Sequence, residues 1–110
     1  MLVKNPAVST VGALNATAAV TVEDADSFAV AITGTFSGTI TFEATADNTN
    51  WFSMAIIKSD SADRKAGTAT TTSTGLWFHE NFGLLQVRAR MSAYTSGTAT
   101  VKFVTMRMGI

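Results

Sequence analysis

The stretch that decides the fold is residues 38–51, which read GTITFEATADNTNW. Apolar and polar residues alternate along its first nine positions, and this period of two is typical of a strand with one buried face and one wet face. The side predicted to be buried carries Ile40, Phe42, Ala44 and Ala46. Residues 47–50 are turn formers, and an aromatic pair begins the return strand. We therefore predict a β-hairpin over residues 38–57.

The same alternation recurs on both sides of this hairpin. The other predicted strands cover residues 7–14, 18–23, 28–32, 85–92 and 98–108. Ser96 and Gly97 supply a turn between the last two strands, which predicts a second hairpin. No segment has a sustained helical period. The sequence therefore predicts an all-β fold, a single antiparallel β-sandwich of seven to nine strands, jelly-roll-like or Ig-like.

The length of 110 residues is that of one domain, so residues 1–110 are predicted to form a single sandwich. Residues 1–6 are expected to be an extended N-terminal arm. They lack the charged segment followed by an apolar one that marks a secretory signal. Residues 58–74 are polar, and we expect a loop in their first half and an edge strand in their threonine-rich second half.

The composition argues against two classes of partner. The net charge is zero and only 15% of residues are charged, whereas nucleic-acid and membrane-surface binders carry a basic excess. No apolar stretch approaches the roughly 18 residues that span a bilayer as a helix. We therefore expect neither nucleic acid nor membrane as a partner. The chain has no cysteine, which excludes disulfides and thiolate metal ligands.

No constellation of residues predicts catalysis. His79, the single histidine, precedes Glu80, but consecutive strand residues point to opposite sides, so Glu80 is not expected to orient the ring. A nucleophile elbow and a phosphate-binding loop are both missing. Glu23, Asp24 and Asp26 lack the calcium-loop pattern and are expected to lie in a solvated turn. We predict no enzyme activity, no catalytic residue, no metal and no cofactor.

Two segments carry more large apolar residues than one strand face can bury, namely residues 75–85 and the C-terminal end. Either these strands are buried on both sides, or part of the surplus stays exposed until an assembly covers it. Methionine adapts well to contact surfaces. Under the second interpretation the predicted contact residues are Leu2, Val3, Trp77, Phe78, Phe82, Met106, Met108 and Ile110.

Two segments resemble small virion proteins of tailed bacteriophages. Residues 37–51 resemble a pattern in which a Ser-Gly-Thr strand leads through an F-E-x-S-x-D-G turn to Asn-Trp, with Asn48 in place of the turn glycine. Residues 83–98, GLLQVRARMSAYTSGT, resemble an L-x-x-V-R-V-R-x-S-x-Y-T-S-G-T hairpin. The resemblance covers roughly residues 34–108, although residues 58–73 match nothing in it.

This resemblance implies a β-sandwich that is made in the host cytoplasm and serves as a structural part of the virion. A decoration (cement) protein on the outer surface of the phage head is favoured over a tail or baseplate component. The implied state is a homo-oligomer, a trimer, whose partner is the major capsid protein or another virion protein. Several modest contacts in one oligomer would then stabilise the head through avidity.

A carbohydrate-binding module is the alternative from another class. Trp51 and Trp77, together with other aromatic residues, could form a platform on which sugars stack. The simpler interpretation is that large aromatic residues build the core of a small domain. The module predicts an exposed row of aromatic residues on one sheet face.

Overall fold

The computed structural model describes residues 2–60 and 67–108, with side chains for 6–60 and 67–107. The described residues form eight strands, all paired antiparallel. These strands are β1 (Leu2–Val11), β2 (Thr17–Thr21), β3 (Ser27–Thr45), β4 (Phe52–Ser53), β5 (Ile57–Lys58), β6 (Thr70–Thr71), β7 (Gly75–Glu80) and β8 (Gln86–Met108). None of the described segments is a helix that could cross a membrane. The predicted all-β, antiparallel fold is confirmed.

Two long strands, β3 and β8, are the frame of the molecule. They pair with each other from Ser27 opposite Met106 to Thr45 opposite Gln86. The second predicted hairpin is therefore wrong, because β8 continues through Ser96 and Gly97 without turning. Residues 34–45 of β3 offer backbone partners along this part of β8, and pairing with them replaces the local turn.

The ribbon formed by β3 and β8 bends in the middle, so that its two halves lie in the two layers of the sandwich. Its register shifts after Ser37 and after Thr39, and β8 contributes the extra residue each time. Such bulges bend a ribbon and increase its twist. One layer has the strand order β1–β8–β3–β7–β5, and the other places β2 on β8 and both β4 and β6 on β3. The two halves of β3 thus belong to opposite layers.

The core lies between these layers. Phe42 from one half of β3 packs against Trp77, whose strand pairs with the other half, with ring centroids 5.2 Å apart. The largest buried side chains are Trp77, Phe28, Phe42, Phe103, Ile32, Ile40, Ile56, Met91, Val11, Val22, Val30 and Val87. Most come from alternate positions of the strands, so the predicted apolar faces of residues 85–92 and 98–103 are confirmed.

The first hairpin is confirmed, but its second strand is short. Glu43 pairs with Ser53 and Ala44 with Phe52, and β4 ends there. Two details of the predicted strand are wrong. Ala46 is exposed because β3 ends at Thr45, and the side expected to be wet is largely covered. Arginine side chains of β8 lie over that side, as described below.

Asp47 holds the hairpin turn together. Its carboxylate accepts hydrogen bonds from the backbone N–H groups of Thr49 and Asn50, at 2.9 and 2.8 Å, and from the Asn50 side-chain amide. These bonds favour the charged carboxylate and lower the pKa of Asp47 below its ordinary value. Asn48 takes the left-handed conformation, with φ of 62°. Asparagine tolerates this region better than most residues, so the turn persists without the glycine.

The two segments predicted to flank the sandwich contribute strands. Residues 2–6, expected as an N-terminal arm, pair with residues 104–108 of β8 and form the first half of β1. Within the polar stretch 58–74, Thr70 and Thr71 pair with β3. Residues 61–66 lie outside the described part of the chain.

Candidate interaction surface

One sheet face of the sandwich is apolar and turned away from the core. It belongs to the layer β1–β8–β3–β7–β5, and we call it the outer face. Because neighbouring residues alternate in direction, the buried positions Phe28, Val30 and Trp77 place the residues beside them on this face. Its central row, aligned by the strand register, consists of Pro6, Val104, Ala29, Phe78 and Ile57.

Two more rows flank the central one. The first consists of Lys4, Met106, Ser27 and Glu80, and the second of Val8, Lys102, Ala31 and Leu76. Val8 is 61% exposed and Leu76 is 44% exposed. Nine of the thirteen residues in the three rows are therefore apolar. A contiguous apolar set of this kind is often a functional contact surface.

The outer face includes a hollow of about 620 Å³. Its walls include Phe78 from β7, Val104 and Met106 from β8, and Phe82 from the loop after β7. Phe82 also lines a second hollow of about 360 Å³, together with Phe52 and Leu84. A partner that covered Phe82 could therefore reach both hollows.

Phe82 is presented on a loop that Asn81 holds in place. The Asn81 side-chain amide donates hydrogen bonds to the carbonyl oxygens of Val22 and Ala25, at 2.6 and 3.0 Å, and its Oδ1 accepts one from the backbone N–H of Leu84 at 2.8 Å. The Phe82 side chain nevertheless stays 78% exposed. An exposed aromatic ring on a fixed loop loses little conformational entropy on binding, which suits it to anchor a contact.

The structure brings together three of the predicted contact residues, since Phe78, Phe82 and Met106 line the same hollow. Trp77 is different. It is only 1% exposed and packs on Phe42, so its side chain is in the core and cannot face a partner in this fold. Placing Trp77 on the contact surface was therefore wrong, because β7 points alternate residues in opposite directions.

The remaining predicted contact residues lie at the two termini. The backbones of Leu2, Val3 and Met108 belong to the paired strands β1 and β8, and their side chains lie outside the described part of the structure, as does all of Ile110. Val8 and Leu76 also lie on the outer face, although they were not among the predicted contact residues. The alternation within β1 and β7 was a usable signal, because residues two positions from Pro6 and Phe78 share their side of the sheet.

The tryptophan platform of the carbohydrate-binding alternative is not formed. Trp77 is buried, and one face of Trp51 is covered by the Arg88 guanidinium, whose central carbon lies 4.0 Å from the ring centroid. Arg88 also donates a hydrogen bond to Glu43 at 2.8 Å. This aromatic–arginine–carboxylate stack covers the side of β3 that the sequence predicted to be wet.

The polar groups that could carry chemistry lie apart. His79 Nδ1 donates a hydrogen bond to the backbone carbonyl oxygen of Glu80 at 2.7 Å. The centroid of its ring lies 6.3 Å from that of Phe82, and the two ring planes are nearly perpendicular. Glu23 and Asp24 line a polar hollow of about 250 Å³ with Arg107. Within the described residues, no three histidine, cysteine or acidic side chains converge as metal ligands would.

No known family model matches the chain, and no curated protein sequence is significantly similar to it. Two solved structures share its fold. The SPBc2 prophage-derived protein YomS is 21% identical with a TM-score of 0.72, and the match covers 94% of this chain and 95% of YomS. The PBSX exported protein XepA is 17% identical with a TM-score of 0.74, over 94% of this chain but only 38% of XepA. The fold is thus shared with a prophage-derived protein, in agreement with the phage resemblance of the sequence motifs.

Proposed function

We propose that this chain is a structural protein of a bacteriophage particle, that it decorates the outer surface of the head, and that it has no catalytic role. The observation that carries the proposal is the outer face, where Phe78, Phe82, Leu76 and Val8 leave apolar surface on a rigid sheet. The phage-like motifs and the fold shared with a prophage-derived protein point to the same setting.

The size of the outer face fits an assembly contact. Strands are spaced about 4.8 Å apart and outward residues about 6.8 Å apart along a strand, so the three rows with their margins cover roughly 20 by 20 Å. That is about 400 Å², within the roughly 300–600 Å² of the largest patch on a typical monomer, which is often a functional site. A contact of this size is modest for one copy, and repetition over a particle would convert it into firm attachment.

The described polar residues support a binding role over catalysis. An enzyme site needs a pocket in which an acid, a base or a nucleophile converges with groups that stabilise charge. The two larger hollows are lined mainly by apolar side chains, and His79 donates its Nδ1 proton to the carbonyl of its own neighbour. The outer face is therefore suited to bury apolar surface against a partner.

Particles of the phage that encodes the chain provide the test. We expect the protein in purified particles by mass spectrometry, with immunogold label on the head. Particles from a deletion mutant should bind added protein and regain heat resistance. Label on the tail would favour the tail or baseplate alternative, and absence from purified particles would contradict a virion role altogether.

The outer face can be tested in the same binding assay. Leu76→Glu places a charge among the apolar rows and should abolish binding to the deletion particles. Leu14→Glu is the matched control, because Leu14 is also exposed but lies in the turn between β1 and β2. Equal binding by both variants would show that another surface holds the particle. The trimer implied by the sequence resemblance stays a prediction, which the solution mass tests.

A further inference from the structure

We infer that a second copy of this chain binds along the free edge of β2, where the two β2 strands pair antiparallel about a twofold axis at Ala19. This pairing goes beyond the proposed function, because it uses one edge of the layer that contains β2, β4 and β6 and leaves the outer face free for the particle. It follows from the backbone geometry of β2, from its sequence and from the charges beside it.

The edge of β2 that faces away from β8 has backbone groups without a described partner. The backbone N–H of Val22 donates to the carbonyl oxygen of Leu85 at 2.9 Å, so Val22 points its N–H towards β8. Residues of an antiparallel pair point their backbone groups alternately towards the partner strand and away from it. The residues of β2 that point away are therefore Thr17, Ala19 and Thr21. All three are exposed, and β8 is the only described strand that pairs with β2.

β2 lacks the protection that the other strands at the margins of the two layers carry. Such edges are commonly protected from pairing with another chain by lysine, by proline or by being very short. β1 contains both Lys4 and Pro6, and proline has no backbone N–H to donate. β4, β5 and β6 have only two residues each. β2 has five residues, with neither a charge nor a proline among them, so it is the edge best able to accept another strand.

The sequence of β2 is nearly the same in both directions, as a twofold contact requires. It reads Thr-Ala-Ala-Val-Thr. With the axis at Ala19, each Ala19 lies opposite its equivalent and each Thr17 lies opposite Thr21. On the inner side, Ala18 lies opposite Val20. The outward backbone groups then form about six hydrogen bonds between the copies, two for each opposed pair. Threonine pairs across strands add stability, and a twofold interface matches itself in this way.

Unlike charges approach each other beside this edge. Arg88 and Arg90 of β8 share the carboxylate of Glu43, which leaves one positive charge in surplus next to β2. The Oδ1 of Asn15 accepts a hydrogen bond from Arg90 at 3.0 Å. Continuing the pairing by two residues beyond β2 brings Glu23 of the second copy beside this Asn15, and so towards the surplus positive charge.

Like charges stay apart in the same arrangement. Arg88 lies beside Ala19 on β8, so the two copies of Arg88 are three strand spacings, about 14 Å, apart. This distance exceeds the screening length of physiological salt, about 8 Å, and the two copies of Arg90 are farther apart still. The two copies of Glu23 lie on opposite sides of the axis, roughly 25 Å apart at ordinary strand spacings. Lys4 lies opposite Met106, at the end of the β1–β8 pairing that is farthest from β2.

This pairing turns both outer faces to the same side of the dimer. A twofold axis between antiparallel strands runs perpendicular to their sheet, so rotation about it keeps each sheet facing the same way. The layer with the outer face is therefore stacked on the same side of the shared sheet in both copies. The dimer can place two outer faces on one particle surface, and two linked contacts hold more tightly than one. This consequence rests on the proposed function, whereas the pairing itself does not.

Light scattering coupled to size exclusion, over a dilution series, tests the pairing. The expected mass is twice the subunit mass of 11.6 kDa at high concentration, and it should fall towards one subunit on dilution because one short strand is a small contact. Ala19→Pro removes the N–H groups of the two central hydrogen bonds, whereas the pairing of β2 with β8 does not use that N–H. This variant should raise the dissociation constant at least about tenfold, equivalent to about 1.4 kcal/mol. Ala19→Thr is the matched control, because it keeps the N–H and suits a strand, so it should dimerise like the natural chain.

Hydrogen exchange of the natural chain locates the contact without any substitution. The backbone amides of Thr17, Ala19 and Thr21 should exchange quickly in dilute solution and slowly at high concentration, where the second copy covers them. Those of Ala18 and Val20 should exchange slowly at both concentrations, because they point towards β8. Thermal unfolding of each variant in dilute solution checks that the fold is retained.

Three results would overturn twofold pairing at β2. They are a monomer at all concentrations, a trimer or larger ring, and a dimer in which the three outward amides exchange as fast as in dilute solution. Leu76→Glu separates the pairing from the proposed function, because it changes only the outer face: it should stay dimeric while it loses binding to deletion particles. A natural chain that dimerises but is absent from particles would leave the pairing intact and remove the virion role. A chain that binds particles as a monomer would do the reverse.

Discussion

The ion pairs of Glu43 with Arg88 and Arg90 can be tested directly as a source of stability in the layer that contains β2, β4 and β6. Glu43 lies on β3 at 7% exposure and accepts hydrogen bonds from Arg88 Nε at 2.8 Å and from Arg90 Nε and Nη2 at 3.1 and 3.2 Å. Replacing it with alanine removes the only acidic partner that the described residues offer these two arginines.

The magnitude follows from burial. Removing one partner of a fully buried ion pair costs about 3–5 kcal/mol, and a surface pair is worth about 1 kcal/mol or less. Here the carboxylate is buried, but the side chains of Arg88 and Arg90 are 23% and 29% exposed, so water can partly solvate them again. We therefore expect Glu43→Ala to lower the free energy of unfolding by about 2 kcal/mol.

Glu43→Gln keeps the shape of the side chain and one acceptor oxygen but removes the charge. Its expected cost is about 1 kcal/mol, since hydrogen bonds between charged groups are about twice as strong as neutral ones. Urea unfolding at fixed protein concentration measures both variants, and a loss of 2 kcal/mol should move the midpoint by about 1 M. Glu23→Ala, an exposed carboxylate, is the control. A midpoint for Glu43→Ala within about 0.2 M of the natural chain would refute this reasoning.

Acid titration gives an independent check. Burial by itself raises the pKa of Glu43, but the hydrogen bonds and charges of Arg90 and Arg88 outweigh it and leave the pKa below the ordinary value of 4.5. The stabilisation is therefore present above pH 4.5 and is lost as the pH falls through the lower, folded-state pKa. The stability difference between the natural chain and Glu43→Gln should be constant near neutral pH and shrink below pH 4.5. Asp47, whose pKa is also lowered, affects both proteins equally and cancels.

Three further predictions concern single positions. A Cβ on Gly97 would overlap the carbonyl oxygen of Thr35, so Gly97→Ala should lower the free energy of unfolding by about 3 kcal/mol, as measured by thermal unfolding. Gly83 also has a positive φ but has open space around it, so Gly83→Ala should lower it by only about 1 kcal/mol. Equal losses for the two variants would contradict a close approach of β8 to Thr35. Because φ at Asn48 is positive, Asn48→Gly should be as stable as the natural chain or slightly more stable, and Asn48→Val should lose about 1 kcal/mol of unfolding free energy. If calorimetry ranked the two variants in the reverse order, the left-handed turn would be refuted. Phe82→Ser should change the unfolding free energy by less than about 0.5 kcal/mol, since its ring is mostly exposed, yet it should weaken binding to the deletion particles. A large stability loss would place the ring in the core.

Local patterns were enough to locate most strands and their faces. The alternation of Val87, Ala89 and Met91, and that of Val101 and Phe103, reproduces the buried positions of β8. The turn at residues 47–50 was also readable, because the hydrogen bonds that build it join residues no more than three positions apart. Both features depend only on residues that are close in the sequence, so they can be predicted without knowledge of the fold.

Which strands pair with each other depends on residues far apart in the chain, and this is why the second hairpin was wrongly predicted. Ser96 and Gly97 are good turn formers, yet they pair with Ser37 and Phe36 within the ribbon. The positive φ of Gly97, which would suit a turn, instead lets β8 pass close to Thr35. The burial of Glu43 could not be predicted for the same reason. Arg88 lies opposite Glu43 only when β3 and β8 pair along their whole lengths.

The alternation and turn residues of the sequence are enough to establish an antiparallel β-structure with a surplus of apolar residues near β7. Which of these residues face outward depends on how the two layers pack. Both sides of β7 are apolar, with Leu76 and Phe78 on one and Trp77 on the other, so hydrophobicity alone cannot choose between them. The second layer makes the choice, because Phe42 approaches β7 from one side only. That contact buries Trp77 and leaves Leu76 and Phe78 on the outer face.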